Sequence, residues 1–563
     1  MSFKLATLSA IAAALIAGCA NNNSSNSAKP LAKHVLLVSV DGLHQIDLSK
    51  WIAAHPMSTL AQLSATGVTY SAAKTTTPSD SFPGLLSMVT GGTPKSTGVY
   101  YDDSYDRTLY APGSNCGGSV GIEAVFDESI DYDANKLFSG GINPANLPLA
   151  KDAAGHCKAV YPHNFIKVNT VFEVIKSAGG YTAWSDKHPA YDLVNGPSGS
   201  GVDDLYTPEI NSLIANGGSN VNGVDLAGSK AKCDGTNSLP VAKVSDFTTC
   251  LPSVEAYDDT KVQAVLNEID GLKSDGSAVT QVPEILGLNF QAVSVGEKLP
   301  VGGYTDANGT PSTNLAGAIA HTDASLGRIV AELNAKGLLN STLIVIGAKH
   351  GQSPTNKATL AMEGGGNAPV QTVQDPAASV AAGDPTVDSA STFTNPNSGN
   401  VYSTGGHLQT DDVGLIWLQT QTNAPNVVAQ LQANAHAIFA DVLPANTIFA
   451  SSINAGAPLA AIYGDPTGTD PVAAARAPNI VIQPNAGVIY SGSSKKIAEH
   501  GGGTVDDTQV ALLVSMPSIH PGTLSTAVST TQIAPTILKA LGLDPQALQA
   551  VQKEGTAVLP GLF

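Results

Sequence analysis

The chain has 563 residues, a formal net charge of −18 and only 13% charged residues. So acidic a balance excludes nucleic acid as a bulk partner, because phosphate backbones are held by Lys and Arg. The length suits one large α/β domain with insertions, or two to three domains, and the abundance of Gly, Ala, Ser and Thr predicts a loop-rich, exported surface.

The N-terminus reads first. Met1 to Lys4 form a small basic leader, and Leu5 to Ala17 an apolar run that ends Leu15-Ile16-Ala17-Gly18-Cys19. The run is too short and too Ala-rich for a membrane span, which needs about 20 apolar residues. It reads as a secretory signal over residues 1–18 with a lipobox, which makes Cys19 the lipidated N-terminus. A cleaved signal with a chance cysteine is the plainer alternative. Ala20 stands where an inner-membrane retention signal favours Asp, so the expectation is an outer-membrane lipoprotein facing periplasm or cell surface. Its only membrane contact is then the lipid, and residues 19–33 are a flexible tether.

Four cysteines remain: Cys116, Cys157, Cys233 and Cys250. An even number fits an oxidising compartment. Sequence neighbours suggest Cys116 with Cys157 and Cys233 with Cys250, although four cysteines allow three pairings.

Short apolar, β-branched runs end abruptly in polar or glycine residues. They are His34 to Val40 before Asp41-Gly42, Glu284 to Leu288 before Asn289, and Leu343 to Ile346 before Gly347. Such runs fit strands buried on both faces of a parallel sheet. Helical patterns lie at Ser58 to Thr66, Asn314 to Lys336 and Thr531 to Leu541. The alternation predicts an α/β sandwich, in which ligands sit beyond the carboxyl ends of the strands. Gly-, Ser-, Asn- and Pro-rich stretches near 108–163, 195–251, 356–404 and 423–479 are too long for structureless loops and predict insertions that form a cap.

Asp41 directly follows the first strand, and Thr77-Pro78-Ser79-Asp80-Ser81-Phe82-Pro83-Gly84 opens a helical segment. An acid after a strand and a hydroxyl at a helix N-terminus can share one cation, while the helix's free N–H groups receive a phosphoryl group. Taken singly, Ser81 reads equally well as an N-cap and Asp41 as a turn former.

The ordered set is more specific. VSVDG at Val38 to Gly42, DSFPGLLSMVTG at Asp80 to Gly91 and TPKSTGVYYDDSYD at Thr93 to Asp106 are followed by HTDASLGRIVAEL at His321 to Leu333 and IVIGAKHGQS at Ile344 to Ser353. EHGGGTVDDTQVALLVSMP at Glu499 to Pro517 and TQIAPTILKALGL at Thr531 to Leu543 close the set. It resembles the type I phosphodiesterase/nucleotide pyrophosphatase family of the alkaline phosphatase superfamily, over most of the chain from His34 onward.

The resemblance implies an alkaline phosphatase-like α/β/α sandwich over residues 34–563, with a mostly parallel central sheet and loop-rich insertions. It implies a hydrolase of small phosphate esters, diester or nucleotide-type rather than simple monoester, using one or two divalent ions, zinc by preference. Ser81 is then the nucleophile, and Asp41, His350 and His500 are metal ligands.

Three departures qualify this. The family's Asp-His pair is here Lys349-His350, and a charged lysine cannot ligate a metal. The family's Asp-x-x-x-His segment falls on Val293 and Glu297, of which only Glu297 has a ligand atom. Asp102 loosely takes the place of the phosphate-binding Asn, where a carboxylate repels phosphate. One reading is a single ion held by some of Asp41, His350, Glu297 and His500, with Lys349 supplying charge to Ser81 or the substrate, or pairing with Asp41 or Asp102. The other is a catalytically silent binding or scaffold lipoprotein. A hydrolase of another ester, such as a sulfate or phosphonate, is a variant of the first.

The remaining conspicuous residues take plainer readings. Asp102, Asp103, Asp106, Asp127, Glu128 and Asp131 lack the spacing of a calcium loop and read as a solvated acidic rim. Asp186, His188 and His407 read as surface polar groups, and Asp323 as a structural hydrogen-bonder.

Overall fold

His34–Val40 forms the first strand, β1, and every residue after His34 is buried, as an uninterrupted apolar run requires. Its side chains alternate: Val35 and Leu37 join one hydrophobic core, and Leu36, Val38 and Val40 the other. The structure, a computed structural model, describes residues 30–362, 392–433, 450–490 and 495–563. The expected signal, Cys19 and most of the tether lie outside the described residues, as do parts of the stretches 356–404 and 423–479. No helix among the described residues is long and apolar enough to cross a membrane.

The other strands of the central sheet are β2 (Gly67–Tyr70), β3 (Ala183–Ser185), β4 (Asp204–Tyr206), β5 (Ile285–Phe290), β6 (Thr342–Gly347), β7 (Leu512–Ser515) and β8 (Gly522–Leu524). These eight strands lie in the order β8-β2-β7-β6-β1-β5-β3-β4. All neighbours are parallel except β7, which runs against both β6 and β2. Helices Ser81–Thr90, Val171–Ser177 and Ile533–Ala540 cover one face, and Leu251–Ile269, Ala292–Lys298 and Thr313–Ala335 the other. This is the expected α/β/α sandwich.

Two departures concern the insertions. The stretch 195–251 is not wholly an insertion, since it contributes β4, the edge strand of the central sheet. A second, four-stranded antiparallel sheet is built from Gly406–Thr410, Gly414–Leu418, Ile480–Pro484 and Ala450–Ala455, in that order, with its own apolar clusters. Disulfides join Cys116 to Cys157 and Cys233 to Cys250, the pairing that sequence proximity suggests.

Candidate active site

The ends of the central strands converge on one buried carboxylate. β1 delivers Asp41, which is fully buried and whose N–H donates to the Phe290 carbonyl at the end of β5 (3.0 Å). β5 contributes Asn289, and Gln291 follows it; Asn289 Nδ2 donates to Asp41 Oδ1 (2.7 Å) and Gln291 Nε2 to Asp41 Oδ2 (2.5 Å). After β6 come Lys349 and His350, both buried. His350 Nε2 lies 3.7 Å from Asp41 Oδ2, and Lys349 Nζ 4.0 Å from Asp41 Oδ1.

Ser81 is the first residue of helix Ser81–Thr90, capped by Asp80, whose carboxylate accepts from the Phe82 N–H (3.1 Å). Phe82, Leu85, Met88 and Val89 are buried and fix the helix against the sheet. Ser81 Oγ lies 3.2 Å from His350 Nε2 and accepts from Lys187 Nζ at 3.0 Å. His350 Nδ1 faces the Gly351 carbonyl (2.9 Å), which can only accept. In the neutral ring the proton therefore sits on Nδ1, and the Nε2 lone pair faces the Ser81 hydroxyl.

Lys187, just beyond β3, also reaches Asp41 Oδ2 (3.3 Å). Its neighbour Asp186 is fully buried and receives Lys349 Nζ at 2.9 and 3.1 Å. The Lys349 ammonium lies 4.1 Å from the centre of the Tyr191 ring, a cation–π contact. The His500 ring lies 4.1 Å from that of His350, tilted by 39°, and points Nδ1 at Asp80 (3.4 Å).

Charge follows from these distances. Burial, the largest influence on Asp41, favours its neutral form, yet Lys349, Lys187 and His350 together hold its pKa well below the usual carboxylate range. Burial works against the Lys187 ammonium, but Asp41, Asp186 and Asp80 outweigh it and raise its pKa. For Lys349 burial wins and the pKa is lowered despite Asp186 and Asp41. Burial also lowers His500, helped by Lys298 and His350.

Of the expected site residues, Asp41, Ser81, Lys349 and His350 meet and His500 adjoins them; Asp102 lines a cleft of about 630 Å³ with Lys187, Gln291 and His500. Glu297 does not join them. It accepts from Tyr304 Oη (2.9 Å) and Gln352 Nε2 (2.6 Å) and pairs with His44 (3.3 Å), in a separate buried network with Asp47. Val293 is packed in the hydrophobic core. Lys349 chooses Asp186, which is no surface group. His188 pairs with buried Glu209 (2.8 Å), and His407 is buried 3.2 Å from Asp103. The acidic rim is not simply solvated: Asp106 and Asp131 are buried. Asp323 accepts from the N–H groups of Thr59 and Leu60, the structural role expected of it.

The expected zinc ligands do not form a ligand set. Among the described residues, the His, Asp and Glu groups whose donor atoms lie within 4.8 Å of one another are His44-Asp47-Glu297 and Asp103-Glu123-His407, which leave out Asp41, His350 and His500. Asp41 is instead met by amide and ammonium donors, which cannot ligate a metal. The residues at Asp41 therefore do not fit a divalent ion.

The solved structure of a known protein shares this fold. The alkaline phosphatase PafA superposes with a TM-score of 0.56 at 14% identity, covering 91% of this chain and 96% of its own. Murine ectonucleotide pyrophosphatase/phosphodiesterase 5 gives 0.49 at 12% identity, with 91% and 96% covered. No curated protein matches the chain in sequence. The likeness to PafA is one of fold. Residues 35–134 match the model of the type I phosphodiesterase / nucleotide pyrophosphatase family.

Proposed function

We propose that the protein hydrolyses small phosphate esters, with Ser81 as nucleophile. The observation that carries this reading is the Ser81 hydroxyl, placed at a helix N-terminus with His350 Nε2 at 3.2 Å and Lys187 Nζ at 3.0 Å. The helix's free N–H groups favour an anionic phosphoryl group there. Ser81 Oγ attacks phosphorus as its proton passes to His350 Nε2; the bond to the leaving oxygen breaks, and that oxygen takes the proton from His350. Water then cleaves the phosphoserine and restores the hydroxyl.

Asp102 fits such a substrate better than its formal charge suggests. Burial, then Asp80, Asp127, Asp411 and Asp103, push its pKa well above the usual range, which weakens the repulsion its carboxylate would offer a phosphate. The family's zinc is not carried over, because the Asp41 site lacks a ligand set.

The test is hydrolysis of bis-p-nitrophenyl phosphate and p-nitrophenyl phosphate by the form beginning after Cys19. Ser81→Ala is expected to lower kcat by about a thousandfold or more. Turnover of p-nitrophenyl sulfate alone would move the substrate class to sulfate esters. No Ser81-dependent turnover of any of these would favour a silent binding lipoprotein.

The same proposal includes export and lipid anchoring at Cys19, supported by the lipobox and by two disulfides, which persist in an oxidising compartment. The full-length protein is expected in the membrane fraction and the Cys19→Ser variant outside it, as read by cell fractionation.

A further inference from the structure

We infer that Lys187 and Lys349 replace the divalent cation of this fold, so that the chemistry at Ser81 runs without a bound metal. The inference rests on the phosphoester reading above and deepens it.

Two lysines carry two formal positive charges, as many as one divalent ion, and with Asp41 and Asp186 the four groups sum to zero, which leaves no charge for a metal to balance. Both act on Asp41, the residue through which the family resemblance would tie a metal: Lys187 at 3.3 Å and Lys349 at 4.0 Å. Neither ammonium can easily leave to make room for a metal. Lys349 is fully buried and held by Asp186 on both oxygens, and the Lys187 side chain is 13% exposed. A cation added at Asp41 would meet both charges in a poorly hydrated site, where repulsion at about 4 Å is far stronger than in water.

The ligands have changed in a matching way. Asn289 and Gln291 present N–H groups to Asp41, Val293 is in the core, and Glu297 is committed to His44, Tyr304 and Gln352. An anionic ligand becoming Lys349, and another becoming Val293, each remove charge that would have balanced a metal. The site is consistent with an internal cation and inconsistent with an external one.

The two lysines have different tasks. Lys187 donates to Ser81 Oγ at 3.0 Å and is a catalytic residue. As the Oγ proton moves to His350 and the oxygen–phosphorus bond forms, the ammonium stabilises the charge on Oγ and on the phosphoryl oxygens and keeps its own proton. Lys349 touches neither Ser81 nor the cleft and is a positioning residue, which fixes Asp186 and the field around Asp41.

The test uses the protein starting after Cys19, exhaustively dialysed against a chelator. Metal content is read by mass spectrometry, zinc binding by calorimetry, and hydrolysis of bis-p-nitrophenyl phosphate with and without added zinc. Expected are no zinc site that disappears in Asp41→Asn, and full turnover after dialysis. Lys187→Met should lose about 100-fold or more in kcat, unrescued by zinc, with a melting curve showing an intact fold. Lys187→Arg, which keeps the charge, should recover part of the loss.

Zinc bound near stoichiometry and lost in Asp41→Asn would overturn the inference whatever the activity, as would turnover abolished by dialysis and restored by zinc. Zinc at Asp103, Glu123 and His407 survives that substitution, so it is told apart. If Ser81-dependent turnover is absent while calorimetry shows no Asp41 site, the hydrolase reading has failed and takes the inference with it. Unchanged kcat in Lys187→Met would also overturn it.

Discussion

Glu123 shows how a single residue's surroundings decide its protonation. It lies on the strand Ile122–Val125, partly buried beside Asp103, and its carboxylate accepts from the Ser403 N–H (2.6 Å). Burial and then Asp103 push its pKa up to about 7, against the opposing pull of His407 and the Ser403 N–H. Between the ordinary value of 4.5 and about 7, the folded protein keeps a proton that the unfolded chain has released. Its contribution to stability therefore falls as pH rises through that window and is constant above it. Glu123→Gln keeps an oxygen for Ser403 and removes the charge. The variant is expected to melt with the wild type at pH 5 and a few degrees above it at pH 8, as read by calorimetry. An equal difference at both pH values would show that the ionised carboxylate bears no cost in the fold.

At the scale of elements, what was legible depended on length and continuity. β1 matches its sequence range, and β5 and β6 lie within a residue or two of theirs, because four or five buried apolar side chains in each leave little choice. Asp41 and His350 were readable for the same reason, as polar residues just past such strands. β3 and β4 have three residues each, too few to show a period, and so Lys187 and Asp186 had no visible strand to mark them. Asn289 and Gln291 carry such a signal, at the end of β5, whereas the resemblance points to Val293 and Glu297. Those two fit the family's spacing, yet the helix Ala292–Lys298 turns Val293 into the core and Glu297 toward His44. The place of Ser81 also depends on an approach that a sequence does not display. Gly84 packs on the carbonyl of Lys349, where an added Cβ would come within 2.1 Å of the oxygen. Only a glycine in the first turn lets the helix bring Ser81 so close to His350.

Across the whole molecule, one buried arginine ties the second sheet to the sandwich. Arg476 ends the helix Pro471–Arg476, which lies between the strands Ala450–Ala455 and Ile480–Pro484. Its Nε donates to Asp106 (2.6 Å), and Nη1 donates to the carbonyls of Phe165 (2.6 Å) and Gly98 (3.1 Å), with the guanidinium 3.5 Å over the Phe165 ring. These partners lie more than 300 positions away in the chain, so their contact makes the second sheet part of the same body. Arg476→Met fills similar space but strands the buried Asp106 carboxylate, and removing one partner of a buried pair costs about 3–5 kcal/mol. The variant should melt well below the wild type and be cut first by protease within the second sheet. Adding Asp106→Leu should recover much of the loss, because it removes the stranded charge. Full recovery is not expected, since the carbonyls of Gly98 and Phe165 would still lack their donor. If the double variant melts no higher than Arg476→Met, the guanidinium acts through those carbonyls and the Phe165 ring, and Asp106 is incidental to how the two sheets are joined.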